Sequence, residues 1–252
     1  MKAKKQLGQH FLTDQSVISD IIDLIKNECA YDTPLIEVGP GKGVLTKDLN
    51  AHYHQFKAIE FDRDMVSILN EKLPDLDLIQ NDFLKVPIDS LSQQELNIVG
   101  NFPYNISTEI IFKILENVDK VKSMVGMFQK EVAERICAGP KGRVNGIISI
   151  RTQAHYHAEK IFDIAPDAFS PPPKVQSSMI ALRRKENYNI DCDVKTFSQV
   201  IRMAYGQRRK KMRNTLKSLV GDSDHPLLQK RPEELNVQEF IILTKIAESN
   251  KL

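Results

Sequence analysis

The segment Asn101-Phe102-Pro103-Tyr104 carries the groups that could hold an amine attached to an aromatic ring. Asn101 offers a side-chain carbonyl, and the carbonyl of Phe102 precedes a proline, which restricts the backbone of the residue before it. Tyr104 adds an aromatic face on which a base could stack. A turn at the end of a strand would use the same residues, because Asn and Pro are common in turns. Taken alone, the segment leaves both interpretations open.

A glycine-rich turn, Gly39-Pro40-Gly41-Lys42-Gly43, joins a short apolar run to a helical stretch. Glycines permit positive φ and let a ligand approach the backbone closely. The spacing G-x-G-x-G differs from the dinucleotide pattern G-x-G-x-x-G, and an ordinary strand-to-helix turn is the alternative. Glu60 follows about 20 residues later, where an acid can bind two ribose hydroxyls.

The elements that must position these groups alternate between strands and helices. The predicted strands are Leu35–Val38, Phe56–Phe61, Leu76–Gln80, Leu96–Gly100 and Ser123–Phe128, and the predicted helices are Val17–Ile25, Val44–His52, Asp64–Lys72 and Ile106–Glu116. Such alternation predicts a mostly parallel sheet covered on both faces. Asn81-Asp82-Phe83 and Asn101 follow the third and fourth strands, at the edge where these sheets bind ligands.

The pattern changes after Gly146. Ile147–His157 and Ser177–Arg184 are strand-like runs, which predict an antiparallel hairpin at the edge of the sheet. From Val194 onward the pattern is helical, in about three short helices. We therefore predict an α/β, Rossmann-like domain over residues 1–190 and a small all-helical C-terminal domain over residues 191–252.

Composition limits the class of protein. Hydrophobic residues make up 41% and charged residues 27%, the balance of a soluble globular protein. Cys29, Cys137 and Cys192 are too far apart for a disulfide framework or a zinc motif, which indicates a reducing cytoplasm. No apolar run approaches the roughly 20 residues that span a bilayer. We expect a cytoplasmic monomer that does not bind membranes.

The order of these motifs resembles the class I S-adenosylmethionine methyltransferases and, more narrowly, the small-subunit (16S-type) rRNA adenine dimethyltransferases. The resemblance extends from Gln9-His10-Phe11-Leu12 to Arg208-Arg209-Lys210 and includes the proline-rich stretch at 168–175. It implies a class I methyltransferase sheet, S-adenosylmethionine as methyl donor, and no metal. It also implies the cofactor-binding residues Gln9, His10, Leu12, Gly39, Gly41, Glu60, Asp82, Phe83 and Asn101.

Specific roles follow from the resemblance. Glu60 would bind the ribose and Asp82 the adenine amine of the cofactor. His10 stands where the family has Asn; imidazole can still donate a hydrogen bond, although an ordinary surface histidine is the alternative. The implied catalytic residues are Asn101, Phe102, Pro103, Tyr104 and Phe169.

The acceptor implied by the resemblance is the exocyclic amine of adenine, which is a poor nucleophile because its lone pair is delocalised into the ring. Carbonyls of Asn101 and Phe102 aimed at its two N–H bonds would expose that lone pair, and catalysis would then be by alignment. Phe169 would stack on the flipped base opposite Tyr104. The alternative for Phe169 is an apolar anchor for a stiff loop.

Five cations in six residues, Arg208, Arg209, Lys210, Lys211 and Arg213, predict an RNA-binding surface. Residues 188–252 hold 12 Lys and Arg against 8 Asp and Glu, a net charge of +4, whereas residues 1–187 hold 23 against 25, a net charge of −2. Further basic clusters are Lys2, Lys4 and Lys5, and Arg183-Arg184-Lys185. A solvated helix face is the alternative explanation for the main cluster.

We therefore expect dimethylation of adenines, two adjacent ones, in small-subunit rRNA within a pre-30S-type particle during ribosome biogenesis. One alternative is a large-subunit rRNA adenine dimethyltransferase that confers antibiotic resistance; the Phe169-to-Val175 stretch and Gln207-Arg208-Arg209-Lys210 favour the small-subunit branch. Another is a non-catalytic RNA-binding assembly factor on the same fold. The presence of Glu60, Asp82, Asn101 and Tyr104 disfavours that second alternative.

Overall fold

The computed structural model describes residues 9–139, 142 and 144–250. Within them the strands are β1 (Phe11–Leu12), β2 (Leu35–Val38), β3 (Phe56–Glu60), β4 (Leu78–Gln80), β5 (Leu96–Asn101), β6 (Val121–Gln129), β7 (Tyr156–Ile164), β8 (Phe169–Ser170) and β9 (Ser177–Arg184). The α-helices are α1 (Gln15–Glu28), α2 (Thr46–His52), α3 (Arg63–Lys72), α4 (Ser107–Glu116), α5 (Lys130–Cys137), α6 (Ile147–His155), α7 (Val194–Gly206), α8 (Met212–Thr215), α9 (Lys217–Val220) and α10 (Val237–Ser249).

Seven strands form one sheet in the order β4-β3-β2-β5-β6-β9-β7. The first five of these are parallel to their neighbours, and β9 is antiparallel to β6. After β2 the chain crosses to β3 on one side of the sheet, and after β5 it crosses to β6 on the other side. The connections therefore diverge between β2 and β5 and leave a crevice at the carboxyl ends of these two strands, where such sheets bind ligands. The predicted mostly parallel α/β sheet with an antiparallel edge is confirmed.

One predicted strand is wrong. Ile147–His157 is mainly helical, because α6 covers Ile147–His155 and β7 begins only at Tyr156. The run is rich in β-branched residues, yet Ile150 and Ala154, four residues apart, both pack into a helical core. Burial of these two side chains on one helix face outweighs the local strand preference.

Contacts divide the chain into two compact units. The first is Met1–Ala133 with Glu159–Arg184, and the second is Glu134–Ala158 with Lys185–Leu252. Each unit is therefore built from two stretches of chain. The sequence predicted one division of the chain, between residues 190 and 191. In the structure α6, which precedes that division, belongs to the second unit together with the C-terminal helices.

The first unit contains the large sheet and a core of aliphatic and aromatic side chains. Its first helix, α1, is amphipathic: Ile18, Ile21 and Ile25 are buried at helical spacing. Asp14 caps this helix by accepting from the backbone N–H groups of Ser16 and Val17.

The second unit has its own helical core, which includes Phe197, Phe240 and Leu243. Asp193 caps α7: its carboxylate accepts from Thr196 N at 2.7 Å. α10 begins with a reciprocal cap in which Asn236 and Glu239 each accept a backbone N–H from the other. Among the helices of the described residues, none combines the length and apolar character needed to cross a membrane.

Candidate active site

A cavity of about 230 Å³ opens at the carboxyl ends of β2, β3, β4 and β5. The residues predicted to bind the cofactor come from separate strand ends and from the N-terminal segment, and all nine line this cavity: Gln9, His10, Leu12, Gly39, Gly41, Glu60, Asp82, Phe83 and Asn101. Phe102, Pro103 and Tyr104 also line it. Folding therefore brings together residues that lie up to 95 positions apart.

The glycine turn bends the chain directly after β2. Gly39 and Gly41 have φ of +70° and +56°, values that side-chain-bearing residues rarely adopt. The Gly41 N–H donates to Glu60 Oε2 at 3.0 Å, and the Asp62 N–H donates to Glu60 Oε1 at 2.8 Å. The Glu60 carboxylate is thus oriented by two backbone donors, and each oxygen retains a lone pair for a ligand hydroxyl. Burial raises the pKa of Glu60.

Glu37 was not predicted as a site residue, yet it lines the cavity and is only 1% exposed. Burial raises its pKa to about 8. Its Oε2 atom has no hydrogen-bond partner within the described residues, which is costly for a buried polar atom unless a ligand satisfies it. An acid two residues before a glycine turn, at the end of an apolar strand, was the signal available in the sequence.

Phe61 was also missed. It follows Glu60 directly, lines the cavity and remains 61% exposed. A large aromatic side chain left in water beside a cavity can provide an apolar wall for a planar ligand.

The loop after β4 is held by a lysine from α4. Asp82 accepts from Leu84 N and so begins a 3-10 helix at Phe83–Lys85. The Lys113 ammonium donates to the backbone carbonyls of Phe83, Leu84 and Val86 at 2.7, 3.0 and 2.5 Å. It also lies 5.0 Å from the centroid of the Phe83 ring. This lysine, which the sequence did not single out, fastens the segment that carries Asp82 and Phe83.

The N-terminal segment lies along one side of the cavity. Gln9 Nε2 donates to Asp62 Oδ2 at 2.9 Å, and β1 pairs with β8. His10 Nδ1 donates to the Pro171 carbonyl at 2.8 Å, and its ring stacks on Tyr104 with centroids 5.5 Å apart. The imidazole therefore makes a directed contact rather than projecting freely from the surface.

The predicted catalytic segment begins at the last residue of β5. Asn101 Nδ2 donates to the main-chain carbonyl of His10 at 3.2 Å. The Tyr104 hydroxyl is 2.5 Å from Ser177 Oγ, and burial raises the pKa of Tyr104. Phe102 is 1% exposed, so its ring belongs to the core while its backbone borders the cavity.

Phe169 is not brought to the cavity. It lies in β8, where it pairs with Leu12, and it is 3% exposed within the core of the first unit. Its predicted role as an aromatic wall opposite Tyr104 stays a prediction. The observed packing is that of an apolar anchor for the proline-rich loop, and the Ser170-Pro171 bond in that loop is cis.

The predicted basic cluster lies between α7 and α9 in the second unit. Arg208 is 3.8 Å from Glu233 and donates to the Gly142 carbonyl, and Arg213 pairs with Asp224. Arg209, Lys210 and Lys211 are exposed. Within the part of the chain that the structure describes, these last three have no ion-pair partner. The additional cluster Lys2, Lys4 and Lys5 lies outside the described residues.

Solved structures share this architecture. A dimethyladenosine transferase from Plasmodium falciparum superposes with a TM-score of 0.80 at 23% identity, covering 96% of this chain and 98% of that one. The 23S rRNA methyltransferase ErmE superposes with a TM-score of 0.69 at 22% identity, covering 94% and 99%. The fold is the Rossmann-like class I methyltransferase fold, as predicted.

The sequence itself defines the family. A family model described as ribosomal RNA adenine dimethylase matches residues 1–250. Proteins named ribosomal RNA small subunit methyltransferase A are similar to the chain: that of Bacteroides fragilis is 44% identical, covering 98% of this chain and 93% of its own, and that of Cytophaga hutchinsonii is 43% identical, covering 98% and 97%. The chain belongs to the ribosomal RNA adenine dimethylase family.

Proposed function

We propose that this protein transfers methyl groups from S-adenosylmethionine to the exocyclic amines of adenines, two adjacent ones, in small-subunit rRNA. The observation that carries the proposal is the hydrogen bond from Asn101 Nδ2 to the His10 carbonyl. It orients the amide so that Oδ1, an acceptor, is left for a substrate N–H beside the cavity.

The residues around the cavity fit S-adenosylmethionine. The unpartnered Oε2 of buried Glu37 suits the positive charge of the methionine portion. Glu60, oriented by Gly41 and Asp62, suits the ribose hydroxyls, and Asp82 suits an adenine amine. When bound, the sulfonium supplies an activated methyl group, so the protein has to align and desolvate the reactants.

The acceptor site is proposed at Asn101–Tyr104. Two carbonyl acceptors, from Asn101 and from the Phe102 backbone, would each bind one N–H of the amine and draw its lone pair out of conjugation. Tyr104 would support the base by stacking, which is worth roughly 1–3 kcal/mol per base. Its hydroxyl is tied to Ser177, which holds the ring in place. Phe169 would complete the base site only after its ring leaves the core.

RNA binding is proposed for the basic cluster of Arg208, Arg209, Lys210, Lys211 and Arg213. Arg209, Lys210 and Lys211 are exposed and free to bind phosphates, whereas Arg208 and Arg213 already contact acids. Phosphate contacts of this kind provide affinity without sequence choice. Specificity would therefore come from the shape of the rRNA in a pre-30S-type particle, which we expect a cytoplasmic monomer to bind.

The decisive experiment is mass spectrometry of rRNA after incubating the protein with isotopically labelled S-adenosylmethionine and separate unmethylated ribosomal subunits. We expect labelled dimethyladenosine in small-subunit rRNA. Label confined to large-subunit rRNA would instead support the antibiotic-resistance activity. Failure to bind S-adenosylmethionine in a calorimeter, with no label in either RNA, would support a non-catalytic assembly role.

A further inference from the structure

The Phe102 side chain occupies a narrow space between two strands. Gly100 of β5 and Gly126 of β6 are directly paired in the sheet. A methyl group built at Gly126 would lie 2.2 Å from Phe102 Cε2, and one built at Gly100 would lie 3.1 Å from Phe102 Cε1. We call the space above these two glycines the glycine slot. The ring fills it and meets the Phe128 ring edge-on, with centroids 5.3 Å apart.

We propose that Gly126 is a positioning residue for the methyl transfer, because its missing side chain lets the Phe102 ring enter the glycine slot and thereby fixes the Phe102–Pro103 peptide beside the cavity. This inference rests on the proposed function, which assigns the Phe102 carbonyl to the substrate amine. Gly126 itself is not among the residues that line the cavity.

Movement of the Phe102 ring would displace the Phe102 backbone carbonyl, which is proposed to bind the substrate amine. Two single bonds separate the Phe102 ring from its backbone, and Pro103 limits how that backbone can adjust. A side chain at position 126 would overlap the ring by more than 1 Å relative to ordinary contact. The ring, and the peptide attached to it, would have to move. Displacements of about 1 Å near reacting atoms can lower a rate about 100-fold.

The slot suits a flat side chain at position 102. A flat ring can lie over two paired glycines, and the close-packed interior leaves no spare volume for both the ring and a side chain at 126. Phe102 and Gly126 are therefore expected to depend on one another.

A rescue experiment tests this dependence. Gly126→Ala should lower kcat on small ribosomal subunits about 100-fold while changing the cofactor dissociation constant less than three-fold. Adding Phe102→Leu should restore kcat to within about five-fold of the Phe102→Leu variant alone, because the shorter leucine side chain would not overlap the methyl group at position 126. Met124 Sδ, 2.9 Å from the added methyl, belongs to a flexible side chain that can move aside.

Gly100→Ala is the matched control. A methyl group there would lie 2.4 Å from the Val38 carbonyl oxygen, which is backbone and cannot be relieved by Phe102→Leu. Gly100→Ala should therefore remain impaired with or without Phe102→Leu. Equal rescue of both glycine variants would show a general stability effect and overturn the proposal.

Two further outcomes would also overturn it: a kcat within three-fold of wild type in folded Gly126→Ala, or no rescue of kcat by Phe102→Leu. If Gly126→Ala does not fold, the variant that combines Gly126→Ala with Phe102→Leu still tests the proposal, which requires that variant both to fold and to methylate small subunits. Failure of the wild-type protein to methylate small subunits would refute the proposed function separately. In that case, a double-mutant cycle of unfolding free energies still measures whether positions 102 and 126 are coupled.

Discussion

Asn101 and His10 are joined by a hydrogen bond from the Asn101 amide nitrogen to the His10 main-chain carbonyl, with the two atoms 3.2 Å apart. The bond distinguishes the two ends of an amide that are otherwise alike in shape. Because the nitrogen is used within the protein, the oxygen is the end available to a ligand. The His10 segment, which borders the proposed cofactor cavity, thus also orients the Asn101 oxygen that we propose accepts from the substrate amine.

Replacing Asn101 with Ala should abolish this acceptor. We expect kcat to fall about 100- to 1,000-fold, the loss typical for a preorganised group that acts in the transition state. The melting temperature and the affinity for small-subunit rRNA should change little. Single-turnover methylation of small subunits is the measurement, and Asn70→Ala, an exposed asparagine on α3, is the control. A near-normal rate in Asn101→Ala would refute the proposed mechanism.

Glu37 should make stability depend on pH in the absence of ligand. Its pKa is raised from 4.5 to about 8 by burial, so the native protein keeps a proton that the unfolded chain loses. Between about pH 5 and pH 8 the unfolded state binds fewer protons, and stability contributed by this group is lost as the pH rises, by up to about 1.4 kcal/mol per pH unit.

Glu37→Gln should remove that slope. Urea denaturation at a series of pH values in this window compares the two proteins directly. The free energy of unfolding of the glutamine variant, relative to that of the wild type, should increase as the pH rises. The variant should also bind S-adenosylmethionine more weakly, because glutamine cannot provide a negative charge. Parallel stability curves for the two proteins would show that Glu37 does not titrate in this range.

Lys113 should govern cofactor affinity more than turnover. Lys113→Met removes a donor to three carbonyls of the segment that carries Asp82 and Phe83. We expect the KM for S-adenosylmethionine to rise about 10-fold, with kcat within about three-fold of wild type, and partial recovery in Lys113→Arg. Lys120→Met is the control, since Lys120 also donates to a main-chain carbonyl, but to that of Gln93, which does not line the cavity, whereas Lys113 donates to that of Phe83, which does. A fall in kcat at unchanged KM would contradict this role.

The exposed part of the basic cluster should control RNA affinity through salt. Replacing Arg209, Lys210 and Lys211 together with Glu should weaken binding to small-subunit rRNA and reduce the slope of log affinity against log salt by about 2. Binding measured by filter retention at several salt concentrations gives that slope. Lys195→Glu, an exposed cation on α7, serves as the control. An unchanged slope would remove the cluster from the RNA-binding surface.

Several elements were predictable because their signals are local. β2, the helix α1 with its Asp14 cap, and the strand β9 follow from apolar periodicity and capping chemistry within a few residues. α6 was not predictable in this way. Its residues prefer strands, and only the helical packing of Ile150 and Ala154 in the second unit decides otherwise.

The class of fold, and the strand ends at which chemistry is expected, could be predicted from the sequence, since a glycine turn, Glu60 and Asn101 each follow an apolar strand and such ends meet at one edge of a parallel sheet. The orientation of these groups depends on contacts that form only when the chain folds. The contacts that orient Asn101 and seat Phe102 join residues 91 and 24 positions apart in the chain. Such contacts produce no periodic pattern in the sequence, because they depend on the packing of segments that are distant in the chain and not on the conformational preferences of neighbouring residues.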